Sequence, residues 1–113
     1  MKSFSKAEID KHFGKILKAY RKKAKITQEE LAEKLGISLK YISRIENGNN
    51  GVKTQNLIEY MNILGIPPDT LFGVFMTHPD VKKDMDFYQK ITSLSEEQKE
   101  FVSSIIDLLK NFK

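Results

Sequence analysis

Few side chains in this chain stand in an arrangement that could carry out a reaction. His12 and His78 are far apart, and neither has a carboxylate or thiol set at metal-ligand spacing, so no metal site is expected. Cysteine is absent, which excludes disulfides and thiolate sites. The paired carboxylates Glu29-Glu30 and Glu96-Glu97 fall in the first turns of helices, where acidic side chains offset the helix dipole. Neither a glycine-rich phosphate loop nor a nucleophile elbow is present. The sequence therefore reads as a non-enzyme without cofactors. A different chemistry lies between Thr27 and Gly48, where Leu39, Lys40, Tyr41 and Arg44 crowd into one short segment. Polar and cationic side chains on the outer face of a short helix suit recognition of a polyanion rather than catalysis.

The elements that must position these residues are helical almost throughout. Ser5-x-x-Glu8 has the form of a capping box, followed at helical spacing by Ile9, Phe13, Leu17 and Tyr20, with an end near Ala24 or Lys25. Thr27-x-x-Glu30 is a second such box, opening a short helix with Leu31, Ala32 and Leu35 on one side. Gly36 ends it, and Ser38 caps a third helix with Ile42 and Ile45 inward. Gly48 stops that helix, and Asn49, Asn50 and Gly51 mark a loop. Thr54 is expected to cap a fourth helix carrying Leu57, Ile58, Met61 and Leu64. Pro68 suits the first turn of a brief fifth helix ending near Phe72. A connector from about Gly73 to His78 leads to a one-sided helix carrying Val81, Met85, Tyr88 and Ile91, and Ser95-x-x-Gln98 opens the last. The implied organisation is all-α, with one domain over residues 1–73 and a two-helix segment over residues 79–113.

Charge is divided between these parts. Residues 1–53 hold 13 Lys or Arg against 6 Asp or Glu, whereas residues 54–113 hold 6 against 9. A basic half joined to a mildly acidic half suggests one face for a polyanion and another for something else. Two short helices joined by a tight turn at Gly36 form a helix-turn-helix, whose second helix can enter the DNA major groove.

The stretch from Thr27 to Gly48 resembles the lambda-repressor-like, or XRE/Cro-type, helix-turn-helix family, and the resemblance extends over roughly residues 13–72. It rests on Arg21, Thr27-Gln28, Glu30-Leu31-Ala32, Gly36, Ile37-Ser38, Ile42, Ile45-Glu46-Asn47-Gly48 and the segment from Gly65 to Phe72. The resemblance implies a sequence-specific double-stranded DNA-binding transcriptional regulator, bacterial or phage, reading a near-palindromic operator through the helix at about 38–47. It implies base reading by Lys40 and Arg44. Arginine can pair in bidentate fashion with guanine, discriminating by about 1–3 kcal/mol. Leu39 and Tyr41 depart from the small polar residues common there, and contact with thymine methyls or the sugar edge is one use for them. Gln28 matches the family's phosphate-contacting glutamine, and Thr27, Ser38, Asn47, Asn49 and Lys53 fall on segments that touch the backbone. Arg21 and Glu46 match an ion pair tying the first helix to the recognition helix.

The last helix holds Phe101, Val102, Ile105, Ile106, Leu108, Leu109 and Phe112, a stripe wider than a lone surface helix needs. A second copy packed there is the expected cover, giving a homodimer that presents two recognition helices about 34 Å apart. Operator occupancy by such a dimer points to repression. Two other uses of the tail stand beside it: an antitoxin-like role, or a protein-interaction module whose C-terminal helices bind a different protein. No run approaches the roughly 20 apolar residues a membrane helix needs, and a cytoplasmic location without membrane attachment is expected.

Overall fold

The structure, a computed structural model, describes residues 3–111. The chain forms two compact units, Met1–Phe75 and Met76–Lys113. The described residues are helical, without strands, as expected. The first unit holds α1 (Lys6–Lys23), α2 (Gln28–Leu35), α3 (Leu39–Glu46), α4 (Thr54–Leu64) and α5 (Pro68–Phe72), closed by a 3-10 turn at Gly73–Phe75. The second holds α6 (Pro79–Thr92) and α7 (Glu96–Lys110).

Local side chains set most of the helix ends. At α2 the box is reciprocal: the Glu30 amide donates to Thr27 Oγ1 at 3.0 Å and the Thr27 amide to Glu30 Oε1 at 3.2 Å. Ser95 and Gln98 form the same pair at α7. At α1 only half of the box is seen among the described residues, with Ser5 accepting the Glu8 amide. The expected cap at Thr54 is displaced: Lys53 is the N-cap residue, without a side-chain cap bond, and Thr54 is the first helical residue. Gly36 ends α2 in the left-handed region, at φ 67°. The amide of the next residue, Ile37, then returns to the Ala32 carbonyl.

The core of the first unit is built on Leu17, Leu31, Ile42, Ile45, Tyr60 and Leu71, each essentially without exposure. Burial of such side chains contributes about 1.5–3 kcal/mol each. Not all the apolar residues of α4 face the core. Leu57 is buried with Tyr60, whereas Ile58 is 53% exposed. α4 packs on α1 and α2, and it is Tyr60 rather than Ile58 that enters the core there.

The connector expected from Gly73 contributes more than a linker. Phe75 sits edge-on to Phe4 and His12, with ring centroids 4.9 and 5.1 Å apart. Phe13 meets Phe72 in the same edge-to-face manner at 5.4 Å. Such pairs add about 0.5–1.5 kcal/mol beyond simple burial. His12 Nε2 is hidden from water among these rings and has no hydrogen-bond partner.

In the second unit no residue of α6 or α7 is buried. No helix among the described residues is long and apolar enough to cross a membrane.

Candidate nucleic-acid interface

α3 is held from beneath by two isoleucines and presents its other side to solvent. Ile42 and Ile45 are fully buried, while Leu39, Lys40, Arg44 and Asn47 are exposed. Lys40, Arg44 and Asn47 follow one another at spacings of four and three, which places them in one line along the helix. Leu39 opens that face, an apolar side chain 43% exposed in the first turn. Ser38 caps the helix by accepting the Tyr41 amide at 3.0 Å.

Tyr41 is not part of this free line. Its ring packs against the core. Its hydroxyl reaches the loop after α3, donating to the Gly51 carbonyl at 3.4 Å and accepting from the Lys53 amide at 3.3 Å. Tyr41 thus ties the recognition face to the loop that carries Asn49 and Lys53. The same loop is drawn back onto α3 by the amides of Asn49 and Asn50, both donating to the Arg44 carbonyl.

A buried polar cluster fixes where α3 points. Arg21 on α1 donates through Nε to Glu46 Oε2 at 2.6 Å and through Nη2 to Oε1 at 2.9 Å. Its third nitrogen, Nη1, bonds the Ile26 carbonyl at 2.8 Å. Gln28, on the first turn of α2, donates its amide to Glu46 Oε1 at 3.0 Å. Three elements therefore converge on one carboxylate whose side chain is 1% exposed. Donation to the Glu46 carboxylate holds the Arg21 pKa above its usual value, although burial pulls the other way. Burial, and next the Glu46 charge, push the Tyr60 hydroxyl well above the usual tyrosine range, so it stays neutral beneath the cluster. Gln28 spends one amide hydrogen on Glu46 and keeps the other; Thr27, beside it, is exposed at the start of α2.

Gly14 belongs to no motif in the sequence, yet it sets the approach of two helices. A Cβ there would lie 2.3 Å from the Ile45 carbonyl oxygen and 3.1 Å from that of Glu46, so only glycine allows α1 to pass this close to α3. The available signal was a glycine inside an otherwise regular helical stripe, an arrangement that usually has a packing reason.

Of the apolar residues expected at a dimer surface, Phe101, Ile105, Leu108 and Leu109 are 69%, 41%, 72% and 63% exposed on α7. Val102 and Ile106 are half-buried, and Phe112 lies outside the described residues. Among the described residues no cluster of three or more acidic, histidine or cysteine side chains is placed to hold a metal.

Comparison with known proteins agrees with this geometry. Residues 17–71 match the family model described as helix-turn-helix. The uncharacterized transcriptional regulator in the ATPase CF(0) region of Rhodospirillum rubrum is 30% identical over 65 residues, spanning 58% of this chain and 60% of that protein. A chain of the SinR protein/SinI protein complex shares the fold with a TM-score of 0.51 at 24% identity, covering 88% of this chain and 98% of that one.

Proposed function

We propose that the chain is a sequence-specific double-stranded DNA-binding transcriptional regulator of the lambda-repressor-like type, a reading supported by the match of residues 17–71 to the helix-turn-helix family model. The observation that carries this reading is the line Lys40, Arg44 and Asn47, exposed on a helix whose other face is locked by Ile42, Ile45 and the Arg21–Glu46 pair. A rigid helix with an unencumbered cationic edge fits the major groove, and the tight turn at Gly36 leaves its N-terminus clear to enter.

In this reading Lys40 and Arg44 read base edges and Leu39 meets a thymine methyl group. Tyr41 supports them by holding the loop. Thr27, Gln28, Ser38, Asn47, Asn49 and Lys53 contact phosphates, which sets register without reading sequence.

The protein acts as a homodimer and represses by occupying a near-palindromic operator. The support is that α6 and α7 bury no residue, while α7 exposes four large apolar side chains along one element. Soluble monomers rarely leave such a patch open, and a second copy covers it. A second reading gives the same surface to a different protein, in keeping with the structural relative coming from a complex of two named proteins. Sedimentation of the isolated chain separates them, since the first requires a dimer and the second leaves a monomer.

The test of DNA recognition is selection of duplexes from a randomised pool at near-physiological salt, with Arg44→Ala alongside. A two-fold symmetric site that relaxes at one base pair per half-site in the variant establishes the reading. No enrichment by the unmodified protein overturns it.

A further inference from the structure

One charged feature of the first unit takes no part in the contacts assigned above. Lys11, Lys15, Lys18 and Lys22 follow one another along α1 at spacings of four, three and four, forming a single stripe. The stripe runs about 16 Å at 1.5 Å per residue. Together with Ala19, Glu46 and Asn47 these lysines line one open concave face. None of the four makes an ion pair; the ion pairs among the described residues are Lys6–Asp10, Arg21–Glu46, His78–Asp80 and Lys99–Glu96. Glu46, the one acid on that face, has both oxygens engaged by Arg21 and Gln28.

Local structure does not account for the stripe. Like charges at a spacing of four destabilise a helix, and Lys11–Lys15 and Lys18–Lys22 are two such pairs. Three of the last four α3 carbonyls already have backbone partners. The Ser43, Arg44 and Ile45 carbonyls accept from the amides of Asn47, Asn49, Asn50 and Gly48. What the stripe does share with the exposed line of α3 is a residue. Asn47 is the last member of the exposed line Lys40–Arg44–Asn47, and it is also part of this concave face. The recognition line therefore runs directly into the lysine stripe.

We infer that Lys11, Lys15, Lys18 and Lys22, flanking Asn47, form a second backbone track that follows the phosphates of one DNA strand beside the groove entered by α3. This rests on the DNA-binding reading above and extends it to α1. A track of four ammonium groups neutralises phosphates without reading bases, so it raises affinity for any sequence alike. It ends at Glu8, one turn before Lys11, where the charge reverses.

The test compares the full chain with a variant carrying Lys11→Gln, Lys15→Gln, Lys18→Gln and Lys22→Gln. A control carries Lys82→Gln, Lys83→Gln, Lys90→Gln and Lys110→Gln, which removes the same charge from the second unit. Binding to a random-sequence duplex is measured between about 50 and 200 mM salt. Each phosphate contact contributes about 0.9 to the slope of log K against log salt. The stripe variant is expected to lose about 3–4 from that slope while the control keeps the full value; the control melts as the unmodified chain does, and the stripe variant melts no lower, since two like-charge pairs are removed from α1. An unchanged slope in the stripe variant overturns the inference and leaves the DNA-binding reading intact. An equal loss in the control overturns it too, because general charge then explains the effect. Failure of the unmodified chain to bind the duplex at low salt overturns both.

Discussion

Gly14 of α1 lies directly under the Ile45 carbonyl of α3, with room for a hydrogen and none for a methyl group, since a Cβ would stand 2.3 Å from that oxygen. The neighbour is backbone, so it cannot swing aside as a side chain would. Gly14→Ala is expected to push α3 off α1 at a cost of about 2–3 kcal/mol, lowering the melting temperature by roughly 10 °C or more. The normal gain from replacing a helical glycine by alanine would be outweighed. A melting temperature equal to or above that of the unmodified chain would show that the two helices can separate freely.

The Arg21–Glu46 pair sits a few residues from this crossing and is nearly buried on both sides. Removing one partner leaves an uncompensated charge, which typically costs about 3–5 kcal/mol. Glu46→Ala should therefore lower stability by about 3 kcal/mol and weaken DNA binding with it, because Gln28 loses its anchor at the same time. Replacing both residues by apolar ones of similar size should restore much of the stability. Denaturant midpoints for the two variants check this, and a Glu46→Ala protein as stable as its parent would refute it.

The α2 capping box makes a pH-dependent contribution. The Thr27 backbone amide, and then its side chain, lower the Glu30 pKa beneath its ordinary 4.5. The folded form thus favours the carboxylate, so the stabilisation is complete above pH 4.5 and is lost as pH falls through the lower folded value. Glu30→Gln keeps an acceptor but removes the charge. Melting curves from neutral pH down to pH 3 should show the unmodified chain ahead at neutral pH, with the gap closing in acid. Parallel curves would mean the box does not titrate.

For α7, a charged substitution on the exposed apolar face should act on assembly alone. Ile105→Glu combined with Leu109→Glu is expected to turn a sedimenting dimer into a monomer while the first unit melts as before. Affinity for a two-fold symmetric site should fall far more than affinity for a half-site, since two recognition helices no longer bind as one. An unmodified chain that already sediments as a monomer would direct attention to a hetero-partner instead.

Much of this molecule follows from interactions spanning three or four residues, and those were legible. The Thr27–Glu30 and Ser95–Gln98 boxes, the Ser38 cap and the left-handed Gly36 each satisfy backbone groups within one turn, so neighbours along the chain suffice to place them. The same holds for the burial of Ile42 and Ile45, because a helix of eight residues with two large aliphatics three apart has one face to hide. Residues outside that range were not legible. Thr54 has the right chemistry for a cap, yet the chain reaches it already in helical register, and Lys53 takes the position.

Tertiary structure decided the rest. Which side of α4 turns inward depends on the space left by α1 and α2, and Tyr60 rather than Ile58 fits it. Gly14 matters only because α3 crosses at that residue, and Phe75 only because the chain returns to His12 and Phe4. Tyr41 carries a polar tip and an apolar ring, and its type alone does not tell that the hydroxyl engages the loop; the position of Gly51 and Lys53 provides that contact. The lysine stripe is visible in the sequence as spacing, but its meaning comes from Asn47 lying beside it, across a crossing of helices that no local rule specifies.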